Sequence, residues 1–158
     1  MDHIRYDSNH DISDISIGYY GPDERDIIET TISFDLGIIM RTNDKLSKMK
    51  VIDRDTLRSL PVIAPQRSTL SSAMDRYGLP YSDLNVTMEL DDPLNYYGLI
   101  QEPGTYVICL EPSRNILDSG VLCFRPLAPE VKGTVGITYN QRRENPCVDT
   151  FLNYLKDN

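Results

Sequence analysis

The fold is decided by residues 61–90, which read PVIAPQRSTLSSAMDRYGLPYSDLNVTMEL. Residues 62–64 form a short apolar run, the pattern of a buried strand. Residues 68–77 place apolar side chains at positions i, i+3, i+4 and i+7, which predicts an amphipathic helix that Gly78 ends. Residues 84–90 alternate between apolar and polar side chains, which predicts a second strand. The order strand, helix, strand predicts a parallel crossover within an α/β sheet.

The same alternation of elements continues on both sides of this stretch. Further strands are predicted at residues 14–20, 33–42, 106–110, 121–127 and 134–140, and further helices at 53–59, 92–101 and 145–155. The run at 106–110, YVICL, is apolar throughout, which predicts a central strand covered on both faces. The sequence therefore predicts an α/β fold with a mixed, largely parallel sheet and helices on both faces.

The composition is that of an acidic globular protein. Hydrophobic residues make up 40% and charged residues 25% of the 158 residues, so the chain is long and apolar enough to bury a core. The formal net charge is −8, and the lysines and arginines form no basic cluster. Because a DNA duplex is a dense line of phosphates, we expect this chain alone to bind nucleic acid poorly.

The sequence shows no pattern of an enzyme, a metal site or a membrane segment. Cys109, Cys123 and Cys147 are an odd number of cysteines without CxxC spacing, which argues against a disulfide scaffold and a zinc site. No GxSxG, P-loop or GxGxxG motif occurs. No apolar run approaches the ~20 residues that span a bilayer, and the polar start does not resemble a signal peptide. We therefore expect a non-enzymatic, cytoplasmic protein without a cofactor or a metal.

Several segments resemble one family of bacterial regulators. Residues 35–63, DLGIIMRTNDKLSKMKVIDRDTLRSLPVI, look like that family's apolar-to-basic strand, its Asp-x-Leu turn and its leader to the next strand. Residues 94–110, LNYYGLIQEPGTYVICL, are similar to its helix-and-strand segment, although the usual Glu-x-Gly-x-Gly turn is altered. Residues 122–127 and 136–152 resemble its closing pattern. By the order and spacing of these segments, residues 15–155 resemble the regulatory domain of LysR-type transcription regulators.

The resemblance implies an architecture like that of the periplasmic binding proteins, with two α/β lobes around an effector cleft. Residues 22–130 correspond to one complete lobe, and residues 1–21 and 131–158 to the remnant of an incomplete companion lobe. The family's helix-turn-helix has no counterpart in this sequence, so DNA would be contacted only through a domain that this chain lacks. Family members associate through their regulatory domains, which implies a homodimer or tetramer.

Candidate effector contacts lie where the predicted strands end. They are Gln66, Arg67, Ser68 and Thr69, with Glu111 after the predicted central strand as a further candidate. The resemblance adds Tyr20 and Asn95. Arg67 can hold a carboxylate with two hydrogen bonds, and a helix N-terminus attracts anions, so an anionic effector is expected. The alternatives are a helix cap at Ser68, a solvated side chain at Arg67 or Glu111, and hinge packing at Tyr20.

The sequence therefore predicts an effector-sensing regulatory domain. A small molecule would bind at the cleft between the lobes and control DNA binding or transcription by an attached helix-turn-helix. Two other functions remain open. One is an oligomerisation or interaction module without a working ligand site, and the other is a free-standing solute-binding protein.

Overall fold

The structure describes residues 15–20, 28–90, 97–112, 114–139 and 146–156. In the computed structural model these residues form eight strands: β1 (Ile15–Tyr20), β2 (Ile28–Arg41), β3 (Ile52–Asp53), β4 (Pro61–Pro65), β5 (Asn85–Leu90), β6 (Tyr106–Leu110), β7 (Leu122–Ala128) and β8 (Lys132–Tyr139). They also form four α-helices: α1 (Arg54–Ser59), α2 (Arg67–Tyr77), α3 (Arg114–Leu117) and α4 (Pro146–Lys156).

The chain divides into two compact units. Residues 34–133 form one, and the described residues before 34 and after 133 belong to the other. In the unit formed by the described residues before 34 and after 133, β1 and β8 are antiparallel, with Ile15 opposite Tyr139 and Tyr20 opposite Thr134. β2 and β8 each continue from one unit into the other.

The sheet of the unit 34–133 has the strand order β3-β7-β2-β6-β4-β5. β4 pairs in parallel with both β5 and β6, and β3 pairs in parallel with β7. β2 is antiparallel to its neighbours β6 and β7. The prediction of a mixed α/β sheet is confirmed, and the antiparallel strand β2 lies at its centre.

Both faces of this sheet are covered by apolar side chains. On one face, the strands pack against Leu57 of α1 and against the stripe of α2 that contains Leu70, Met74 and Tyr77. On the other face, Ile116 and Leu117 of α3 lie against a second cluster. Each fully buried aliphatic side chain contributes about 2 kcal/mol to folding. The predicted helices on both faces are confirmed, and so is the predicted burial of β6 from both sides.

The turn after β2 is held by a buried carboxylate. Asp44 is 4% exposed and accepts hydrogen bonds from the backbone N–H of Leu46 at 2.8 Å and of Gly104 at 2.7 Å. The Tyr106 hydroxyl donates to both carboxylate oxygens, at 3.1 and 3.2 Å. Gly104 has a φ of +92°, which glycine adopts without strain, so the altered turn before β6 is built around this residue.

Tyr77 connects the end of α2 to β3 and β7. Its ring is buried, and its hydroxyl donates to the carbonyl oxygens of Ile52 at 3.2 Å and Ala128 at 3.1 Å. The Arg54 side chain donates to the Tyr77 carbonyl at 2.6 Å and stacks over the ring. Burial raises the pKa of Tyr77 to about 12, so the hydroxyl remains a donor across the physiological range. Gly78, with a φ of +79°, ends α2 as predicted.

The predicted helix at 92–101 is wrong in its second half. Residues 97–99 form a short 3₁₀ turn, and the chain from Ile100 to Thr105 is not helical. Ile100 is buried against the sheet, and the next residues turn so that Gly104 reaches Asp44. These tertiary contacts override the helical pattern. The first half of the predicted helix, residues 92–96, lies outside the described residues.

Replacing Asp44 tests the role of its carboxylate. Asp44→Ala leaves the buried Tyr106 hydroxyl and the N–H groups of Leu46 and Gly104 without their acceptor. We therefore expect the free energy of unfolding at pH 7 to fall by about 3 kcal/mol in urea denaturation. Asp44→Asn keeps one acceptor oxygen and should lose less. An unchanged free energy of unfolding in Asp44→Ala would contradict this role.

The contribution of Asp44 also depends on pH. Burial acts to raise the pKa of Asp44, but hydrogen bonds from Leu46, Gly104 and Tyr106 and the charge of Lys45 together lower it below the ordinary value of 3.8. A lowered folded-state pKa means that this stability is fully present above about pH 4 and is lost as pH falls through the folded pKa. Between pH 5 and 3, the wild type should therefore lose more stability than Asp44→Asn.

Gly37 gives a second test of the packing between β2 and β7. A Cβ at Gly37 would overlap the ring of Phe124 and the carbonyl oxygen of Arg125. We expect Gly37→Ala to lower the free energy of unfolding by about 3 kcal/mol, because overpacking forces side chains and backbone to shift. Gly98→Ala is the matched control, since a Cβ at Gly98 would have no described atom within 4 Å, and it should change stability by less than about 0.5 kcal/mol. Equal effects of the two substitutions would contradict this interpretation.

Candidate ligand-binding site

The three parallel strands β4, β5 and β6 end at the same edge of the sheet. Ala64 lies opposite Glu89 and Pro65 opposite Leu90, while Ile63 lies opposite Val107. Ligands of open α/β sheets bind outside the carboxyl ends of the strands, where loops and helix N-termini meet. The residues that follow β4 and β6 at this edge are Gln66–Thr69 and Glu111, which were singled out from the sequence.

The N-terminus of α2 opens directly onto this edge. Gln66 is the N-cap, and its carbonyl accepts from Thr69 N at 2.9 Å and Leu70 N at 3.2 Å. The expected alternative of Ser68 as the cap is wrong, because Ser68 lies within the first turn of the helix. The first N–H groups of a helix have no partner inside the helix, and the helix dipole makes this end positive. The four side chains of Gln66, Arg67, Ser68 and Thr69 are all exposed here.

Arg67 places a positive charge at this helix end. Among the described residues, its guanidinium makes no hydrogen bond and no ion pair, although its carbonyl accepts from the Ser71 hydroxyl at 2.6 Å. The charge of Arg67 is close enough to act on the phenol of Tyr81, whose pKa it lowers against the larger effect of burial. The guanidinium is thus a candidate to hold an anion with two hydrogen bonds.

Tyr81 and Glu89 stand beside the same edge and were not identified from the sequence. Tyr81 begins a 3₁₀ helix, Tyr81–Asp83, that follows α2. Its hydroxyl donates to Oε1 of Glu89 at 2.7 Å and to the Pro65 carbonyl at 3.2 Å. The one sequence signal for Glu89 is its place near the end of β5, on the polar positions of the alternating pattern.

The three remaining predicted site residues are Glu111, Tyr20 and Asn95. Glu111 is exposed directly after β6, and its backbone N–H donates to the Asp35 carbonyl at 2.8 Å. Tyr20 is the last residue of β1, in the unit that does not contain α2. Asn95 lies outside the described residues. The structure thus brings Gln66–Thr69 and Glu111 to one edge, and ligand contact by all seven residues stays a prediction.

The cysteines differ in their surroundings. Cys109 is buried in β6, and burial raises its pKa to about 12. Cys123 is half-buried, and its pKa is also raised by burial, whereas Cys147 of α4 is exposed. Within the described ranges, no group of three His, Cys, Asp or Glu side chains is arranged to hold a metal ion. In the same ranges, the helices are too short or too polar to span a membrane.

The fold is that of the regulatory domains of LysR-family transcription regulators. The effector-binding domain of QuiR in complex with shikimate matches with a TM-score of 0.71 and 14% identity, covering 96% of this chain and 77% of that one. The regulatory domain of CcmR from Synechocystis, in complex with 2-PG, matches with a TM-score of 0.64 and 16% identity, covering 97% and 76%. The resemblance predicted from the sequence is therefore confirmed at the level of the fold.

The full-length regulators that match are longer than this chain. HinK, a LysR family regulator from Pseudomonas aeruginosa, has a TM-score of 0.61 and 12% identity, with 91% of this chain and 53% of HinK covered. The chain spans about half the length of HinK and of the full-length regulators OxyR and CbnR. No protein-family model and no curated protein sequence matches the chain.

Proposed function

We propose that this chain is the effector-sensing regulatory domain of a LysR-type transcription regulator and that it binds a small anionic molecule at the carboxyl edge of β4. The observation that carries the proposal is the guanidinium of Arg67, which makes no hydrogen bond or ion pair to any described residue and lies at the N-terminus of α2. The fold supports the same function, because the matching structures are regulatory domains, one of which holds shikimate.

The proposed binding mode follows from the chemistry of this edge. Arg67 holds a carboxylate or phosphate with two parallel hydrogen bonds, and the first N–H groups of α2 contribute further donors. The hydroxyls of Ser68 and Thr69 and the Gln66 amide supply neutral hydrogen bonds to the rest of the ligand. Glu111, at the end of β6, is a candidate partner for a donor group. These are ligand-binding roles, and no bond of the ligand is broken.

Regulation in this proposal depends on two states of the protein. A ligand that binds one state more tightly than the other shifts the equilibrium toward it, and equal affinity shifts nothing. The proposal includes lobe boundaries at residues 22–130, with 1–21 and 131–158 as part of a companion lobe to which Tyr20 belongs. It also includes association into a dimer or tetramer in the cytoplasm, with DNA bound through a helix-turn-helix elsewhere in the regulator.

A second candidate function is an assembly module, and the edge strand β5 favours it. Among the described strands, β5 pairs only with β4, and Met88 in it is 47% exposed. An open strand edge with exposed apolar side chains favours association with another chain.

A thermal-shift screen with matched arginine variants tests the ligand site. The screen uses small carboxylates, inorganic phosphate, amino acids and sugars against the wild type, Arg67→Ala and Arg58→Ala. Arg58 is the control because it is an exposed arginine of α1 that pairs with Asp83 at 3.8 Å and not with the site. At a concentration of about 100 times Kd, a ligand should stabilise the wild type by about 2.7 kcal/mol.

Loss of a charged bidentate partner should weaken binding of that ligand about 10- to 100-fold in Arg67→Ala and leave it unchanged in Arg58→Ala. Stabilisation by no class of compound would overturn the sensing function. If light scattering then showed a dimer, the assembly module would be the function supported. Equal ligand affinity in the two arginine variants would overturn the site but not the sensing function.

A further inference from the structure

Glu89 is held in place by a buried tyrosine at the edge where the ligand is proposed to bind. Tyr81 is 8% exposed, so its ring has little freedom, and its hydroxyl lies 2.7 Å from Oε1 of Glu89. The same hydroxyl lies 3.2 Å from the carbonyl oxygen of Pro65, the residue before the N-cap of α2. Both oxygens are within hydrogen-bond distance of one atom, so the carboxylate stands within about 6 Å of the strand-to-helix turn.

Among the described residues, the second oxygen of this carboxylate has no hydrogen-bond partner. Glu89 is exposed, and in the described part of the chain its side chain has Tyr81 as its hydrogen-bond partner and forms no ion pair. An exposed glutamate ordinarily samples many rotamers, and a hydrogen bond from a fixed donor removes much of that freedom. Oε2 can therefore accept a hydrogen bond from a ligand without a large ordering cost.

Arg67 and Glu89 place opposite charges around the same phenol without pairing with each other. The Tyr81 hydroxyl bonds to Glu89 and to the carbonyl of Pro65, two residues before Arg67. The charge of Glu89 raises the pKa of Tyr81 and the charge of Arg67 lowers it, which agrees with this placement. No ion pair within 4 Å joins these two described side chains. A positive and a negative group are therefore presented separately at this edge.

We propose that Glu89 is the specificity-determining residue of this ligand site, and that Tyr81 is its positioning residue. The proposal rests on the proposed function. Glu89 disfavours ligands with two negative charges, such as inorganic phosphate at neutral pH, because its own charge repels them. It favours a ligand with one negative group for Arg67 and a hydroxyl or ammonium donor for the open carboxylate oxygen. The chemical class is a hydroxylated or amino-bearing monocarboxylate.

Two probes and one isosteric substitution test this selectivity. Shikimate is a monocarboxylate with hydroxyl donors, and inorganic phosphate is a compact anion without a carbon skeleton. Isothermal titration of the wild type and of Glu89→Gln with both probes, at pH 8 and low salt, gives the ratio of the two affinities. Glutamine keeps an acceptor for the Tyr81 hydroxyl and removes the charge. We expect the ratio to shift toward phosphate by about 5-fold or more.

Two tyrosine variants distinguish the positioning of Glu89 by Tyr81 from a contribution of Tyr81 to the stability of the fold. Tyr81→Phe frees the carboxylate, so the affinity ratio should shift in the same direction as in Glu89→Gln, by a smaller factor. Tyr77→Phe removes the hydroxyl of another buried tyrosine, which contacts Ile52 and Ala128 instead, so it should lower the melting temperature and leave the ratio unchanged. A merely structural role of Tyr81 would lower stability without changing the ratio.

The outcomes distinguish the proposed role of Glu89 from the proposed ligand-sensing function on which it rests. Binding of neither probe by the wild type and by Glu89→Gln would overturn the ligand site for these anions, and the role of Glu89 with it. Binding of both probes with the same affinity ratio in the wild type and Glu89→Gln would overturn the specificity role alone. A ratio that moves equally in Tyr81→Phe and Tyr77→Phe would overturn the positioning role of Tyr81.

Discussion

The hydrogen bonds to the Asp44 carboxylate are the interaction on which the parallel half of the sheet depends. They join the turn after β2 to the loop that precedes β6, two segments that are 60 residues apart in the chain. β6 in turn connects the antiparallel strand β2 to the parallel strand β4, so its placement fixes the register on both sides. Burial of this carboxylate is tolerated because three donors form hydrogen bonds with its two oxygen atoms.

The hydrogen bonds to Asp44 and the candidate ligand site lie at opposite ends of the strands of this sheet. Tyr106, which donates to Asp44, is the first residue of β6, whereas Glu111 follows its last residue. Residues that hold the fold are thus separated from residues available to a ligand by the length of the central strand. This separation is common in α/β proteins, where exposed residues at strand ends change without loss of the core. Substitutions at the exposed residues Arg67 and Glu111 are therefore expected to affect the core less than substitutions at Asp44 or Tyr106.

The sequence predicts those parts of the structure that depend on local periodicity. The strand–helix–strand order at residues 61–90 and the burial of β6 follow from apolar patterns and are present in the structure. The antiparallel pairing of β2 is not visible in such patterns, because pairing is a contact between distant segments. The hydrogen bond between Tyr81 and Glu89 could not be predicted for the same reason, because the 3₁₀ helix Tyr81–Asp83 and β5 contact each other only in the folded protein. Of the candidate site, the sequence located the α2 N-terminus but not the carboxylate beside it.

The position of helix α2 has a consequence beyond the contribution of this helix to the core. Its eleven residues form a rod about 16 Å long, with Arg67 at one end and Tyr77 at the other. The Tyr77 hydroxyl is tied to carbonyl groups of Ile52 and Ala128, in strands that do not neighbour β4. Contacts made at its first turn and contacts made to β3 and β7 therefore belong to one element. Helix α2 thus joins the carboxyl edge of β4 to the side of the sheet remote from β4 and β5.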